Sequence, residues 1–412
     1  MTVLNNEAMR GRRGVLRSCP HALLLAFILH FAQLQRAKAE DRLDFKFYHY
    51  REDDDRIRVI SPAFLYETEI SPTIFLKLDG VYDAISGATP TGAPPVPKSN
   101  GQTKTESGHH ATTGASGTVT SPAQHTKALS LPFSELTVPT IEVEDERLAG
   151  RIELIKKLNR HVLSGQLSYS NERDYDSIGF AVKNSTHFNN KNTTLLAGIA
   201  YSHDVIDLVP GPGTDNKDVV DMLVGVTQIL GPKTLLSANV AVGYMAGYLD
   251  DPYKVVEINR VLVAERRPGH KHKEAVRLSL NHRVVPLDGT LESSYRFYDD
   301  SYGITGHTAA LAWYQDIGDN VIVRPMVRLH DQSAAKFYAV RFSGSPTEYS
   351  SDYRLSALNA ISYGAKLIIA PSARLSIDCA YERYALDGKD DVTHEDVYPS
   401  ADIFSVGARL WL

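Results

Sequence analysis

From residue 43 onward the chain alternates apolar and polar residues in segments of roughly ten, separated by Gly, Pro, Asn and Asp. In one segment Val321, Val323, Val327 and Leu329 alternate with Arg324, Arg328 and His330. In another, Leu375, Ile377, Cys379 and Tyr381 oppose Arg374, Ser376, Asp378 and Glu382. Val276, Leu278 and Leu280 likewise oppose Arg277, Ser279, Asn281 and Arg283. A period of two belongs to strands with one face on an apolar phase, and helical spacing fits none of these segments. The pattern predicts sixteen strands, over 43–50, 56–66, 73–82, 147–158, 162–170, 176–186, 193–204, 218–230, 234–248, 274–284, 289–299, 306–315, 320–330, 356–369, 373–385 and 401–412.

A soluble sandwich also alternates, but the connections discriminate. Every second one is tight: Ser71-Pro72, Asn159-Arg160, Asn189-Asn190, Gly231-Pro232, Pro286-Leu287-Asp288, Gly318-Asp319 and Pro371-Ser372. The intervening ones are mostly long, at 83–146, 205–217, 249–273, 331–355 and 386–400. Even strand number, short periplasmic turns and long outer loops describe an antiparallel transmembrane β-barrel of about sixteen strands. Aromatic girdles are expected to include Tyr48, Tyr201, Tyr244, Tyr248, Tyr295, Phe297 and Trp313. The C-terminal Ser405-Val406-Gly407-Ala408-Arg409-Leu410-Trp411-Leu412 fits an assembly signal read by the barrel-insertion machinery, although Leu412 replaces the commoner final Phe.

The ends of the chain and its composition agree. Arg10, Arg12, Arg13 and Arg17 precede an apolar run from Ala22 to Ala32, and Ala37-Lys38-Ala39 follows. This is the layout of a cleaved secretory signal peptide over 1–39, leaving 40–412 as one barrel domain in the outer membrane of a Gram-negative bacterium. Arg12-Arg13 also resembles a twin-arginine signal, without its usual Phe. Removing the leader removes Cys19, so Cys379 is a lone thiol and fills an apolar position. Forty-four basic against 49 acidic residues leave a net charge of −5, which argues against a nucleic-acid partner. Residues 84–141, rich in Ser, Thr, Gly and Pro, read as a low-complexity loop inserted in the barrel, with Leu129 to Leu136 as a potential plug.

Several phrases resemble a known family. They include Phe47-Tyr48-His49-Tyr50-Arg51-Glu52, Asp55-Arg56-Ile57-Arg58-Val59 and Asp83-Ala84-Ile85-Ser86-Gly87-Ala88-Thr89-Pro90. Glu172-Arg173-Asp174-Tyr175-Asp176-Ser177, Tyr295-Arg296-Phe297-Tyr298-Asp299-Asp300 and Tyr353-Arg354-Leu355-Ser356-Ala357 complete the set. From about residue 43 to the end, the chain resembles the bacterial family of unknown function numbered three-five-seven-zero. The resemblance implies an outer-membrane barrel and transfers no catalytic residue.

Candidate chemistry falls in two places. Acidic residues expected on the outer rim are Asp53, Asp54, Asp55, Asp79, Asp83, Asp174, Asp176, Asp299 and Asp300, an oxygen-rich set suited to divalent cations or to the ions that bridge lipopolysaccharide. The competing reading is hydrogen-bonded turn aspartates and partners for rim arginines. With apolar side chains outward, Arg277, Arg283, Arg296, Arg324, Arg328, Lys366, Arg374 and Arg409 point into the lumen, opposed by Glu292, Asp378 and Glu382. Such a basic excess favours anions in a pore, unless the carboxylates pair with it and only hold the wall. Arg266, Arg267, Lys271 and Lys273 are expected on an outer loop facing lipopolysaccharide phosphates. No metal or cofactor motif is complete, since His109-His110 and His270-Lys271-His272 lack further ligands at fixed spacing. His203, His282, His307 and His330 show no linear Ser–His constellation, and His282 faces outward by alternation, so a membrane-embedded hydrolase is the weakest reading. A non-enzymatic pore or translocation component leads. A surface or partner-binding scaffold that uses the outer loops is the alternative.

Overall fold

In the computed structural model, which describes residues 41–54, 56–98, 132, 135–208 and 213–412, sixteen strands close into one antiparallel barrel. The leader, Asp55, His109-His110 and most of the low-complexity segment lie outside the described residues. The barrel begins with β1 (Arg42–Glu52), β2 (Arg58–Ser71) and β3 (Ile74–Pro90); β4 (Val96–Pro97) and β5 (Leu136–Thr137) form a separate small ladder. It continues through β6 (Thr140–Leu158), β7 (His161–Asn171), β8 (Tyr175–Phe188), β9 (Thr193–Asp207), β10 (Thr214–Gly231) and β11 (Thr234–Gly247). The short β12 (Val255–Ile258) and β13 (Val261–Ala264) stand outside the wall. The wall resumes with β14 (His270–Val284), β15 (Gly289–Asp300), β16 (Thr305–Ile317) and β17 (Val321–Gln332). After the two-residue β18 (Arg341–Phe342), the barrel ends with β19 (Leu358–Ser372), β20 (Leu375–Gly388) and β21 (Ser400–Trp411).

Each expected strand has its counterpart. Closure is made by β1 on β21, in register from Arg42↔Trp411 to Glu52↔Ala401. Without it both edges would present unpaired N–H and C=O groups to lipid, each costing several kcal/mol. The outward side chains are the apolar ones: Leu167, Phe180, Met222, Val224, Leu278, Leu311 and Tyr363 are all exposed on the outer surface. Tight turns cluster at the end where β1 starts and β21 stops, and they use the residues that tolerate positive φ. Asn159 (φ 47), Asn189 (φ 49), Asn190 (φ 54), Asp288 (φ 45) and Gly318 (φ 63) all sit there. On the outer face beside one of these turns, a Cβ on Gly289 would lie 2.0 Å from the Trp313 ring, so only glycine leaves room for that indole.

Two expectations change. The third and fourth strands run to Pro90 and from Thr140, well past the expected ends at 82 and 147, so the insert is narrower than 84–141. The reason is backbone pairing: Pro90↔Thr140 to Ile85↔Asp145 continue the ladder although most side chains there are small or polar. Gly87 lies within this extension of β3 at φ 126, and a Cβ there would lie 2.0 Å from the Arg56 carbonyl oxygen. Tyr48, expected in a girdle, faces the lumen, opposite Ser405 and Ser61 on the even face of β1.

Neighbouring residues on β8 test the two faces. Phe180→Arg, on the lipid side, is expected to cost about 2–4 kcal/mol of folding free energy. Ala181→Arg, on the lumenal side, should cost under about 1 kcal/mol. Urea titration of the barrel in liposomes measures both.

Candidate functional site: a charged lumen beneath a folded outer cap

The inner wall carries polar side chains because alternation leaves them no other place. Most of its cations stand against a carboxylate on the next strand or the next but one. Arg147 meets Asp83 at 2.6 Å and Arg151 meets Asp79 at 2.7 Å. Lys183–Glu153, Lys217–Asp204 and Lys273–Asp221 continue the series at 3.3, 3.1 and 3.0 Å. Lys271–Asp300 (2.8 Å), Arg324–Glu292 (3.2 Å), Lys366–Asp378 (3.0 Å) and Arg409–Asp44 (2.9 Å) carry it around the barrel. Arg283 pairs with Asp316 near the periplasmic end. The partly exposed pairs contribute about 0–1 kcal/mol each, so their main effect is to neutralise the wall and fix its side chains. Arg277, Arg296, Arg328 and Glu382 also lie on the lumenal face, by register. Arg374 does not; it sits in the exposed turn before β20, which begins at Leu375 rather than at 373.

The acidic residues do not share one rim. Asp79 and Asp83 lie deep in the wall, because β3 runs on to Pro90 above them. Asp300 is buried against Lys271, whereas Asp299 is exposed on the outer face of β15. Asp53 pairs with Arg383, and Asp54 sits in the adjoining turn at φ 58. Asp176 accepts from Tyr169 and Asn171, and Asp174 accepts from the Tyr253 hydroxyl at 3.0 Å. Asp174 does meet other acids: oxygens of Asp145, Glu172 and Asp174 lie within 4.8 Å of one another. Burial and then Asp145 push the Glu172 carboxyl up, while Arg147 opposes them.

Lys271 and Lys273 belong to β14 and turn into the lumen, because that strand begins at His270 rather than at 274; Arg267 is mostly buried. Of the expected run only Arg266 and Arg267 stay in the outer connection, Arg266 exposed and Arg267 turned against Glu265 and Asp352. Of the four strand histidines, His330 pairs with Thr308 at 2.9 Å and His282 with Thr234 at 2.8 Å, while His203 meets Asp218 at 2.8 Å and His307 meets the Tyr295 hydroxyl at 2.6 Å. His187–Thr194 and His161–Thr186 repeat the arrangement at other strand pairs, which marks it as cross-strand pairing.

The outer connections build a cap that reaches across the mouth. Between β11 and β14, residues 248–269 contain the hairpin β12–β13, turned by Asn259 and Arg260 at φ 51 and 69. The parallel partner of β12 is β18, from the β17–β19 connection. From that hairpin the Val255 N–H donates to the Thr91 carbonyl at 2.8 Å, and the Lys254 ammonium donates to the Pro90 carbonyl. These contacts join a loop after β11 to the end of β3, on a distant part of the ring. Tyr302, Ile304, Ala335, Phe337 and Leu355 give the cap its own apolar core, with the Tyr302 and Phe337 rings 4.8 Å apart.

An ion network holds these segments together. Asp352, 1% exposed, takes Arg267 at 2.9 Å and Arg354 at 2.6 Å, and Arg354 also reaches Asp251. Glu265 meets Arg267 at 2.7 Å and accepts from the Ser350 hydroxyl at 2.6 Å. Burial works to raise the Asp352 carboxyl, but the Arg354 guanidinium, helped by Lys254 and Arg267, outweighs it and holds the pKa at about 2. Burial pushes Glu265 up and Lys254 down.

Sequence comparison places the chain. Residues 21–214 and again 211–404 match the model described as "Protein of unknown function (DUF3570)". The chain belongs to this family. No curated protein sequence matches this DUF3570 chain. Among solved structures it is similar to a bacterial polysaccharide outer membrane secretin, at 6% identity and TM-score 0.49, covering 92% of this chain and 100% of that one. OccK2 (OpdF) from Pseudomonas aeruginosa, in complex with glucuronate, gives 9% identity and TM-score 0.41, with 90% and 98% covered. The siderophore receptor PirA from Pseudomonas aeruginosa gives 8% identity and TM-score 0.44, with 90% of this chain covered. The DUF3570 chain spans only 62% of that receptor's length.

The cap network makes two expectations for the DUF3570 barrel. Asp352→Asn leaves Arg267 and Arg354 facing one carboxylate fewer and should destabilise the cap by about 3 kcal/mol. Hydrogen exchange should then quicken in β12, β13 and β18 while the barrel strands stay protected. Asp352 titrates below its ordinary 3.8 in the folded cap, so its contribution is complete above about pH 4 and is lost as pH falls towards 2. Glu265, shifted upward, contributes with the opposite sign. Exchange measured between pH 5 and pH 2.5 is expected to show acid loosening of the cap in the native chain and much less of it in Asp352→Asn.

Proposed function

We propose that this barrel is a non-enzymatic outer-membrane pore or translocation component whose outer entrance is restricted by its own loops. One observation carries the reading: a sixteen-strand wall with an apolar exterior and a lumenal face of charged residues, Ser, Thr and Gly. A barrel of that size encloses a channel wide enough for water unless something fills it. Exposed lumenal side chains such as Arg277 and Arg328 support a solvated interior. The leader over 1–39 and the C-terminal octapeptide support export and insertion into a Gram-negative outer membrane.

A second reading has its own support. The cap has an apolar core and a three-stranded sheet, which suits a surface that binds a partner while the barrel only anchors it. Planar-bilayer recording of refolded residues 40–412 separates the two. The intact chain is expected to give brief, small openings. Asp352→Asn, or deletion of 255–264, is expected to lengthen and enlarge them. Folded barrels that stay closed in all three forms would overturn the pore reading and turn attention to the cap as a docking surface.

A further inference from the structure

Most lumenal cations are neutralised by a carboxylate, and three of the exceptions lie close together, apart from Lys46 on β1 and Lys157 at the end of β6. Arg277 and Arg296 are direct cross-strand partners on β14 and β15. Arg328 follows two strands along, across Ala310, which itself registers with Ser294 beside Arg296. Among the described residues no carboxylate is ion-paired to any of the three. Arg277 reaches only the Ser294 hydroxyl, at 3.4 Å, and Arg296 lies over the Tyr298 ring at 5.0 Å. Like charges placed directly opposite each other destabilise a sheet. A wall that pairs most of its charges and yet keeps two arginines directly opposite each other marks a site where the charge is used.

The surroundings fit that use. Ser279, Ser294, Ala310 and Ser362 register alongside the arginines, and such short side chains leave a recess between the longer ones. Thr308 lies next to Arg296 in register and adds a hydroxyl. Arg277 and Arg328 are exposed to the lumen, so their guanidinium donors are open to solute. Arg296 and Arg328 each lie four residues below the outer ends of β15 and β17, at Asp300 and Gln332. A solute that passes the cap therefore meets them early. Guanidinium forks match the two-oxygen edge of carboxylate and phosphate.

We infer that Arg277, Arg296 and Arg328 form an oxyanion-binding wall, and that the solute of this barrel carries carboxylate or phosphate groups. The transport half of the inference rests on the pore reading; the binding half does not. It also changes which arginine matters. Arg324 resembles the other three in sequence, but Glu292 neutralises it and Tyr314 lies under its guanidinium at 5.0 Å.

Two measurements on the full mature chain decide the question, each on protein whose folding is checked by its heat-dependent shift on SDS gels. In a potassium chloride gradient, reversal potentials should show anion preference in the native barrel. That preference should vanish in Arg277→Ser/Arg296→Ser/Arg328→Ser and persist in Arg324→Ser/Glu292→Ser. Calorimetric titration of the detergent-folded barrel with inorganic phosphate, and separately with citrate, needs no open channel. Affinity for at least one should fall tenfold or more in the triple Ser variant, and the stronger of the two names the oxyanion class. Arg→Lys at the three positions keeps the charge and removes the fork, so it should retain anion preference and still lose affinity. Unchanged selectivity, or unchanged affinity in the triple Ser variant, overturns the site. Closed channels that nonetheless bind oxyanion through these arginines would sink the pore reading and leave the site standing.

Discussion

The structure depends on one constraint: within hydrocarbon every backbone N–H and C=O must find its partner in the protein. A sheet meets it only by closing, and the ladder from Arg42↔Trp411 to Glu52↔Ala401 is where this chain does so. Closure makes strand parity matter, because first and last strands must run antiparallel, so β1 starts at the end where β21 stops. It also explains the length of β3 and β6. Their shared ladder continues beyond the bilayer, where pairing is still better than an exposed edge, and supplies the Pro90 and Thr91 carbonyls that the cap uses.

Closure with an apolar exterior leaves charge nowhere to go but inward. Lumenal cations then crowd one another unless carboxylates intervene, and the pairs around the ring place acid and base on neighbouring or next-neighbouring strands. Their energetic worth is small in a wet lumen. What they decide is which charges on the wall are left without a counter-charge. A pore lined by paired ions presents little net field, so selectivity comes from the few that are left over.

Beyond the bilayer the constraint relaxes, and the loops behave like a small soluble domain. Tyr302, Phe337 and Leu355 bury apolar surface, while Asp352, Glu265, Arg267 and Lys254 are brought together at low exposure. A buried ionic network contributes little net stability but strongly penalises the loss of any member. It therefore favours one geometry of the cap over its alternatives, and a partner or solute that disturbs it would meet a cooperative unit.

Much of the architecture was legible because a β-barrel writes itself in a short period: alternation, turn residues and the lengths of connections are local properties of the chain. Strand number, topology and the faces of residues such as Arg324 and Leu278 followed from them. The hairpin at 255–264 was legible too, since Val255-Val256-Glu257-Ile258 and Val261-Leu262-Val263-Ala264 flank the turn pair Asn259-Arg260; it was hidden by its position within a long connection. Strand ends were not, because the ladder at 84–90 depends on a partner more than fifty residues away, Thr140 for Pro90. Nor was the identity of the charges that remain free. Arg283, Arg324 and Lys366 read like Arg277, Arg296 and Arg328 in the linear chain. Register alone decided that the first three would meet Asp316, Glu292 and Asp378 while the others would meet small side chains and one another. Alternation fixes which face a side chain takes; only closure of the sheet, with its stagger from strand to strand, decides what stands beside it.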